Sequence, residues 1–302
     1  MDHALPIKIA GIDLKNPIIV ASGFLGLSQD IFNRLYKIGA AAIVSKSISL
    51  SPREGYRNPT IVALKGNSYI NAVGLANPGL EFFLSEILHN KIPLFVSIVG
   101  SSIEDFAELV NKLKKLNIIG FELNLSCPHV EKMGMEIGDD PTAVFNIIKI
   151  IKKNSTRPLF VKVGLGNSDI VNTAKLAEEA GADGITAINT IRAMKIDIET
   201  GQPILENKIG GLSGSSLKPI GVRCVYELKK NLQIPIIGCG GILSYEDVIE
   251  YLMAGASAVQ IGSILGIEGL NSFNKILRGL SKYLEIKNYK NITELIGIAQ
   301  RY

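Results

Sequence analysis

The sequence predicts an α/β protein built from repeated strand–helix units. Eight short apolar runs recur along the chain, and each is followed by a stretch of helical periodicity. Their apolarity is continuous rather than alternating, which is typical of parallel strands covered on both faces. Eight such units in 302 residues favour a closed (β/α)8 barrel, or TIM barrel, with a doubly wound open sheet as the alternative. No linker interrupts the pattern, so we expect residues 1–302 to form a single domain.

The predicted strands are apolar runs of six to eight residues. In order they are PIIVAS (17–22), AAIVSKS (41–47), PLFVSIVG (93–100), GFELNLS (120–126), PLFVKVG (158–164), GITAIN (184–189), PIIGCGG (235–241) and AVQIGS (258–263). Helix start signals lie between them. A serine precedes an aspartate by three residues at 102–105 and 244–247, and an aspartate precedes a proline at 140–141. Such residues cap helix N-termini or fit the first helical turn, so we expect helices to begin there.

Three connections are longer than a barrel requires. They span residues 48–92, 131–139 and 190–216, and each leaves the carboxyl end of a predicted strand. Barrel active sites are built at that end, and long βα loops commonly form lids or ligand clamps. We therefore expect the functional site there, beneath long loops over the C-terminal face.

Composition and charge exclude several classes of protein. Apolar residues make up 47% and charged residues 20%, as in a folded globular protein rather than a disordered one. Lysine and arginine total 32 against 28 acidic residues, without a run of five or six like charges, which argues against a nucleic-acid arm or a polybasic anchor. The N-terminus lacks signal-peptide features, and no apolar run approaches the roughly 20 residues of a membrane span. We expect a cytoplasmic protein that binds neither nucleic acid nor membrane.

Cysteine and histidine are scarce. The cysteines are Cys127, Cys224 and Cys239, without a CxxC pair, and there are only three histidines. This pattern argues against a disulfide framework and against a structural zinc or iron–sulfur site in this chain, so we predict no metal.

Polar residues interrupt the carboxyl ends of the predicted strands. They include Lys46-Ser47, Asn124, Lys162 and Asn189-Thr190. A lysine is rarely buried unpaired, so each lysine either pairs with a carboxylate, extends to the barrel rim or binds a ligand. Two lysines with amides at neighbouring strand ends favour a site for a flat, electron-rich ligand that carries oxygen atoms.

Glycines are concentrated in the last third of the chain. They lie in GGLSG (210–214), GCGG (238–241) and GS (262–263), the last two at the carboxyl ends of the seventh and eighth predicted strands. Loops at those two positions form the recurrent phosphate site of barrel enzymes, whereas one isolated glycine pair would indicate only a tight turn. The chain has neither a GxxxxGK[ST] motif nor an early GxGxxG motif, so a P-loop or a Rossmann domain is not predicted.

Cys127 has a setting different from the other two cysteines. It follows a strand in ELNLSCPH, before a loop, where a thiolate could act as base or nucleophile, whereas Cys224 and Cys239 fit small core residues. His129 is either an assistant to Cys127 or a surface residue. A phosphate-anchored cofactor with lysines near its ring fits a flavin, because a cation stabilises negative charge on the reduced ring.

Motifs along nearly the whole chain resemble those of the dihydroorotate dehydrogenase family, most closely the catalytic subunit of the NAD-linked class 1B. The strings are LKNPIIVASG (14–23), SKSISLSPREGYRNPT (45–60), NAVGLANPG (71–79), NLSCP (124–128), INT (188–190), ETGQPILENKIGGLSG (199–214), KPI (218–220), GCGGI (238–242) and QIGS (260–263). Each string is weak by itself, whereas their order and spacing together are specific.

The resemblance implies a flavin-dependent oxidation of (S)-dihydroorotate to orotate in de novo pyrimidine (UMP) biosynthesis. One FMN per chain would accept the hydride at N5, held by Ser22, Lys46, Ser47, Asn124, Lys162, Ile188, Gly214, Gly240, Gly241, Gly262 and Ser263. The substrate would contact Lys46, Asn71, Ala72, Val73, Gly74, Leu75, Asn124, Asn189 and Thr190. Cys127 would be the catalytic base. Class 2 enzymes have serine in that role, so the cysteine indicates class 1.

The resemblance also implies an assembly. Electrons would pass to NAD through a partner subunit that carries FAD and a [2Fe–2S] cluster, in a heterotetramer built around a homodimer of catalytic chains. Two positions differ from the usual family pattern, namely His129 and Ser97, where asparagine is usual.

Three alternatives stay open at this point. NLSCPH also occurs in dihydropyrimidine dehydrogenase, which reduces uracil and thymine. Fumarate or another acceptor could replace NAD. A non-catalytic flavin-binding scaffold is the third alternative, although it leaves the joint presence of Lys46, Cys127 and Lys162 without a reason.

Overall fold

The computed structural model describes residues 4–24, 27–125, 139–166 and 168–302. In chain order the strands are β1 (Ile7–Ile9), β2 (Ile12–Leu14), β3 (Ile18–Val20), β4 (Ala42–Val44), β5 (Ile61–Leu64), β6 (Ser68–Asn71), β7 (Leu94–Ile98), β8 (Gly120–Asn124), β9 (Leu159–Val163), β10 (Gly184–Ala187), β11 (Ile191–Met194), β12 (Ile209–Gly214), β13 (Ile236–Cys239) and β14 (Ala258–Ile261). The α-helices are α1 (Gln29–Lys37), α2 (Leu80–Glu86), α3 (Ile103–Leu113), α4 (Pro141–Asn154), α5 (Ile170–Ala180), α6 (Lys218–Asn231), α7 (Tyr245–Ala254), α8 (Ser263–Ile267) and α9 (Ser272–Ile286). Short 3-10 helices lie at Ser215–Leu217, Gly269–Asn271, Ile292–Leu295 and Ile298–Arg301.

Eight strands close into a parallel barrel in the order β10-β13-β14-β3-β4-β7-β8-β9. Each one falls within one of the eight predicted apolar runs, and at least one helix separates each barrel strand from the next. The strands are buried because helices cover them outside and their own side chains fill the barrel inside. In β9, for example, all five residues of LFVKV are buried. The predicted (β/α)8 barrel is confirmed, and the doubly wound sheet is excluded.

The predicted helix starts are also confirmed. α3 and α7 begin with capping boxes in which Ser102 and Asp105, or Ser244 and Asp247, exchange side-chain and backbone hydrogen bonds. α4 begins after Asp140, whose side chain accepts from two backbone N–H groups, with proline in the first turn. These bonds satisfy backbone donors that have no partner within the helix, so they fix where each helix leaves its strand.

Two of the long connections contain strands that the sequence did not reveal. Residues 48–92 contribute β5 and β6, residues 190–216 contribute β11 and β12, and the four form an antiparallel sheet in the order β11-β12-β6-β5. Asn71 of β6 pairs with Gly211 of β12. One face of this sheet buries Ile70, with Leu205 packed against it. The third connection, 131–139, lies outside the described residues except for Asp139.

The sheet stands over the carboxyl ends of the barrel strands, so the long connections cover the face where the site was expected. The described residues include no helix long and apolar enough to cross a membrane.

Candidate active site

A cavity of about 1380 Å³ lies at the carboxyl ends of the barrel strands, beneath the four-stranded sheet. Ligand pockets in proteins usually measure about 300–1,000 Å³, so this cavity has room for a cofactor and a small substrate together. The barrel contributes its strand ends and the loops that follow them. The sheet contributes side chains from its other face, including Ile61, Tyr69 and Arg192.

The structure brings the residues of both predicted sites to this one cavity. The predicted cofactor residues that line it are Ser22, Lys46, Ser47, Asn124, Lys162, Ile188, Gly214, Gly240, Gly241, Gly262 and Ser263. The predicted substrate residues that line it, besides Lys46 and Asn124, are Asn71, Ala72, Val73, Gly74, Leu75, Asn189 and Thr190. The structure shows that these residues meet at one cavity, whereas their division between cofactor and substrate stays a prediction. Cys127 and His129 lie outside the described residues.

A chain of hydrogen bonds links polar side chains that lie on or just after β4, β7, β8 and β10. Asn189 Nδ2 donates to Asn124 Oδ1 at 3.2 Å, and Asn124 Nδ2 donates to Ser47 Oγ at 3.1 Å. Ser47 Oγ lies 2.9 Å from Ser97 Oγ, which is fully buried. Asn189 Oδ1 also accepts from the backbone N–H of Thr190 at 2.8 Å. These bonds hold the two amides in fixed orientations at the cavity wall. Ser97 contributes from the buried side, because it bonds to Ser47, which accepts from Asn124.

Lys46 presents a positive charge to the cavity. Its side chain is partly buried after β4, and no ion pair to it is found within the described parts of the chain. Burial lowers the pKa of Lys46 from its usual value, because desolvation penalises the ammonium. A cation that lacks a carboxylate partner at a cavity wall suits an anionic group of a ligand.

Lys162 lies deeper and belongs to a polar cluster inside the barrel. Its Nζ atom is 3.4 Å from Gln260 Oε1 and 3.9 Å from Glu122 Oε1. Burial disfavours its charged form, but the negative charges of a Cys239 thiolate and of Glu122 outweigh burial and raise the pKa of Lys162. Of the options that the sequence left open for this lysine, pairing with a carboxylate is therefore partly met, because Glu122 lies near Lys162. Lys162 nevertheless also lines the cavity.

The glycine-rich loops after β13 and β12 approach each other closely. Gly241 has a φ of +71°, and a Cβ atom there would lie 2.6 Å from Lys218 N and 2.8 Å from Gly214 O. Gly214 has a φ of +90°, and its Cβ would lie 2.2 Å from Asn67 O. The hydroxyl of Tyr251 donates to Gly240 O at 2.8 Å and holds the first loop from below. Only glycine fits these positions, which keeps the loop surface open toward the cavity as a phosphate group requires.

Sequence reasoning missed three members of the cluster around Lys162, namely Glu122, Thr186 and Gln260. All three are at most 1% exposed. The sequence signal was a carboxylate and an amide inside otherwise apolar strand runs, because a buried strand tolerates such groups only when they have hydrogen-bond partners.

In the part of the chain that the structure describes, no group of three potential metal ligands occurs.

The fold and the cavity together define a (β/α)8 barrel with cations, amides and glycine loops at its C-terminal mouth. The sequence model of the family described as dihydroorotate dehydrogenase matches residues 4–284. The chain therefore belongs to the dihydroorotate dehydrogenase family, which confirms the resemblance seen in its motifs.

Relatives of nearly the same length are similar to the whole chain. The protein named dihydroorotate dehydrogenase B (NAD(+)), catalytic subunit, of Pyrococcus abyssi is 46% identical over 297 residues, covering 98% of this chain and 99% of the relative. The proteins of the same name from Pyrococcus furiosus and Methanothermobacter thermautotrophicus are 45% identical over 300 residues and 42% identical over 303 residues. Each of these two matches covers 99% of both chains.

Proposed function

We propose that this chain is an FMN-dependent dehydrogenase that oxidises (S)-dihydroorotate to orotate in de novo pyrimidine biosynthesis. The observation that supports it most directly is that one cavity, in a chain of this family, gathers every described residue of the predicted cofactor and substrate sites. Its size suits a flavin and a small cyclic acid side by side.

The residues of the cavity fit FMN. The loops of Gly214 and Gly240-Gly241 leave open the space that a phosphate group would occupy, and Lys162 supplies a cation at the cavity floor. Bound FMN would supply the acceptor for the hydride that leaves carbon 6 of the substrate. Ser22, Ile188, Gly262 and Ser263 complete the lining on which the cofactor is proposed to rest.

The substrate is proposed to lie against the amides of the cavity wall. Lys46 would pair with its carboxylate, and Asn71, Asn124 and Asn189 would bind the polar edge of its ring. Because Asn124 and Asn189 bond to each other at 3.2 Å, their free orientations are limited and the ring would be held in one pose.

Cys127 is proposed as the base that takes the proton from carbon 5. Formation of the double bond between carbons 5 and 6 removes a hydride and a proton, so a protein group must accept the proton. This assignment depends on the family motif, since Cys127 lies outside the described residues.

Electrons are proposed to leave through a partner subunit with FAD and a [2Fe–2S] cluster, around a homodimer of catalytic chains. The names of the relatives include the words catalytic subunit and NAD(+), and this chain lacks a dinucleotide-binding fingerprint. A cytoplasmic location is part of the same proposal.

The decisive experiment is anaerobic reduction of the flavin in protein reconstituted with FMN. Dihydroorotate should bleach the flavin absorbance, whereas dihydrouracil at the same concentration should not. Bleaching by dihydrouracil alone would assign the chain to the dihydropyrimidine dehydrogenase reaction. Protein that stays colourless after reconstitution would refute the cofactor assignment.

A further inference from the structure

The polar cluster inside the barrel contains a carboxylate that the proposed reaction does not use. Glu122 of β8 is 1% exposed, and its Oε2 atom accepts from Gln260 Nε2 at 2.5 Å and from Thr186 Oγ1 at 3.0 Å. β8 and β14 are not neighbours in the barrel, so the bond from Gln260 crosses the barrel interior. The carboxylate is thus fixed at the centre of the barrel by two neutral donors.

The other oxygen of Glu122 faces the cation. Glu122 Oε1 lies 3.9 Å from Lys162 Nζ and has no hydrogen-bond partner among the described residues. Lys162 Nζ in turn makes one long bond, of 3.4 Å, to Gln260 Oε1 within that part of the chain. The carboxylate is near enough to neutralise the ammonium, but it leaves the N–H groups of the ammonium largely unused. Those donors remain for a ligand in the cavity that Lys162 lines.

We propose that Glu122 is a positioning residue, which keeps Lys162 charged at the cavity floor and leaves its N–H donors to the cofactor. A buried ammonium without a counter-charge would lose its proton, since an isolated charge in the interior is costly. Thr186 and Gln260 serve Glu122 by fixing its far oxygen, so that the near oxygen faces Lys162. The identity of the ligand in this inference rests on the proposed function, whereas the pairing of Glu122 with Lys162 does not.

The described titratable groups that face Lys162 are Glu122 on β8 and Cys239 on β13. Burial raises the pKa of Cys239, which outweighs the attraction of Lys162, so this thiol is neutral near pH 7. Near neutrality Glu122 is therefore the described carboxylate that faces Lys162, whereas Cys239 adds negative charge only at the higher pH at which its thiol ionises. Thr186 and Gln260 are neutral and only orient the carboxylate.

The proposal predicts a specific pH dependence in the variant Glu122→Gln. Without the carboxylate, the pKa of Lys162 in the folded protein should fall below that of the unfolded chain, and buried lysines shift by up to about 3–5 units. Stability then rises with pH wherever the unfolded state binds more protons. With a folded pKa about 2 units below the unfolded lysine value of about 10.4, the unfolding equilibrium constant should decrease roughly 30-fold between pH 7 and 10. In the unchanged protein the pKa of Lys162 is raised, so its contribution is constant over that range and is lost only at higher pH.

Urea unfolding of flavin-free protein at pH 7 to 10 tests this without the cofactor. The stability of Glu122→Gln should rise with pH relative to the unchanged protein, and Glu122→Gln/Lys162→Met should not show that rise although it retains Cys239. At pH 7 the double variant should be more stable than Glu122→Gln. Glu250→Gln is the matched control, because Glu250 pairs with Lys218 at 2.9 Å on the surface. A pH profile of Glu122→Gln parallel to that of the unchanged protein, or a double variant no more stable at pH 7, would overturn the proposal.

FMN binding gives a second readout, which separates this proposal from the proposed function. Quenching of FMN fluorescence should give a nearly constant affinity from pH 7 to 9 in the unchanged protein, because the second ionisation of a phosphate group lies at about pH 6, below this range. In Glu122→Gln the affinity should fall tenfold or more as Lys162 loses its proton. If the unchanged protein binds no FMN, the cofactor assignment fails, while urea unfolding still decides the role of Glu122. If FMN binds with the same pH profile in both proteins, the role of Glu122 toward the cofactor is wrong.

Discussion

Substitution of Gly241 by alanine should weaken both FMN binding and the fold, whereas a matched substitution at a glycine away from the cavity should weaken the fold alone. The residue has a φ of +71°, and its new Cβ would lie 2.6 Å from Lys218 N and 2.8 Å from Gly214 O. Ordinary contact begins at about 3.4 Å, so one of these backbone segments must retreat by about 0.8 Å. Both segments adjoin the proposed phosphate site, because Gly214 lines the cavity and Lys218 begins α6.

Two costs add in this variant, and a control separates them. A non-glycine residue at positive φ costs about 1–2 kcal/mol, and overpacking of a closely packed site costs about 1–3 kcal/mol more. Gly201 has a φ of +69° and nothing within 4 Å of its Cβ position. Gly201→Ala therefore has the cost of a non-glycine residue at positive φ but not the cost of overpacking. Both variants should lose about 2–4 °C in Tm per kcal/mol, the scale for domains of 150–250 residues.

The assay is titration of flavin-free protein with FMN, followed by fluorescence. A displacement cost of 1–3 kcal/mol at the phosphate site corresponds to a Kd about 5- to 150-fold higher for Gly241→Ala. Gly201→Ala should bind FMN within twofold of the unchanged protein. Equal affinities in the two variants would refute the assignment of this loop to the phosphate.

Four further predictions concern the reaction and its electron acceptor. Cys127→Ala should slow flavin reduction by dihydroorotate about 10²–10⁴-fold in stopped flow, while orotate still binds. Cys127→Ser should be similarly slow near neutrality. Near-normal reduction by Cys127→Ala would remove Cys127 from the mechanism and leave His129 as the next candidate. The rate in the unchanged protein should rise with pH as the catalytic thiolate forms. Asn189→Ala removes the bond to Asn124 and a proposed bond to the substrate, and should raise KM for dihydroorotate about tenfold with unchanged FMN affinity, since a hydrogen bond contributes up to about 1.5 kcal/mol. Parallel loss of FMN would place Asn189 with the cofactor instead. The isolated chain should reduce an artificial dye with dihydroorotate but reduce NAD only slowly, and rapid NAD reduction without a partner would contradict the proposed route for electrons.

Local features of this protein were readable from the sequence. The eight barrel strands appear as continuous apolar runs, because a strand covered on both faces needs apolar residues at every position. The starts of α3, α4 and α7 appear as capping residues, because a cap acts within one helical turn. The motifs that carry the family resemblance are also short strings, and their order along the chain was sufficient to assign the family.

Only the tertiary structure decided which distant residues meet. The bond between Gln260 and Glu122 joins positions 138 apart in sequence, and Asn71 bonds to Gly211 across 140 positions. No local pattern specifies such pairs, because they depend on barrel closure and on the register between loops. The four-stranded sheet was missed for this reason, since its strands are short and partly exposed. The sequence by itself therefore determined the barrel and the ends of its strands, whereas closure of the barrel brought Gln260 to Glu122, and pairing between the long connections formed the sheet over the cavity.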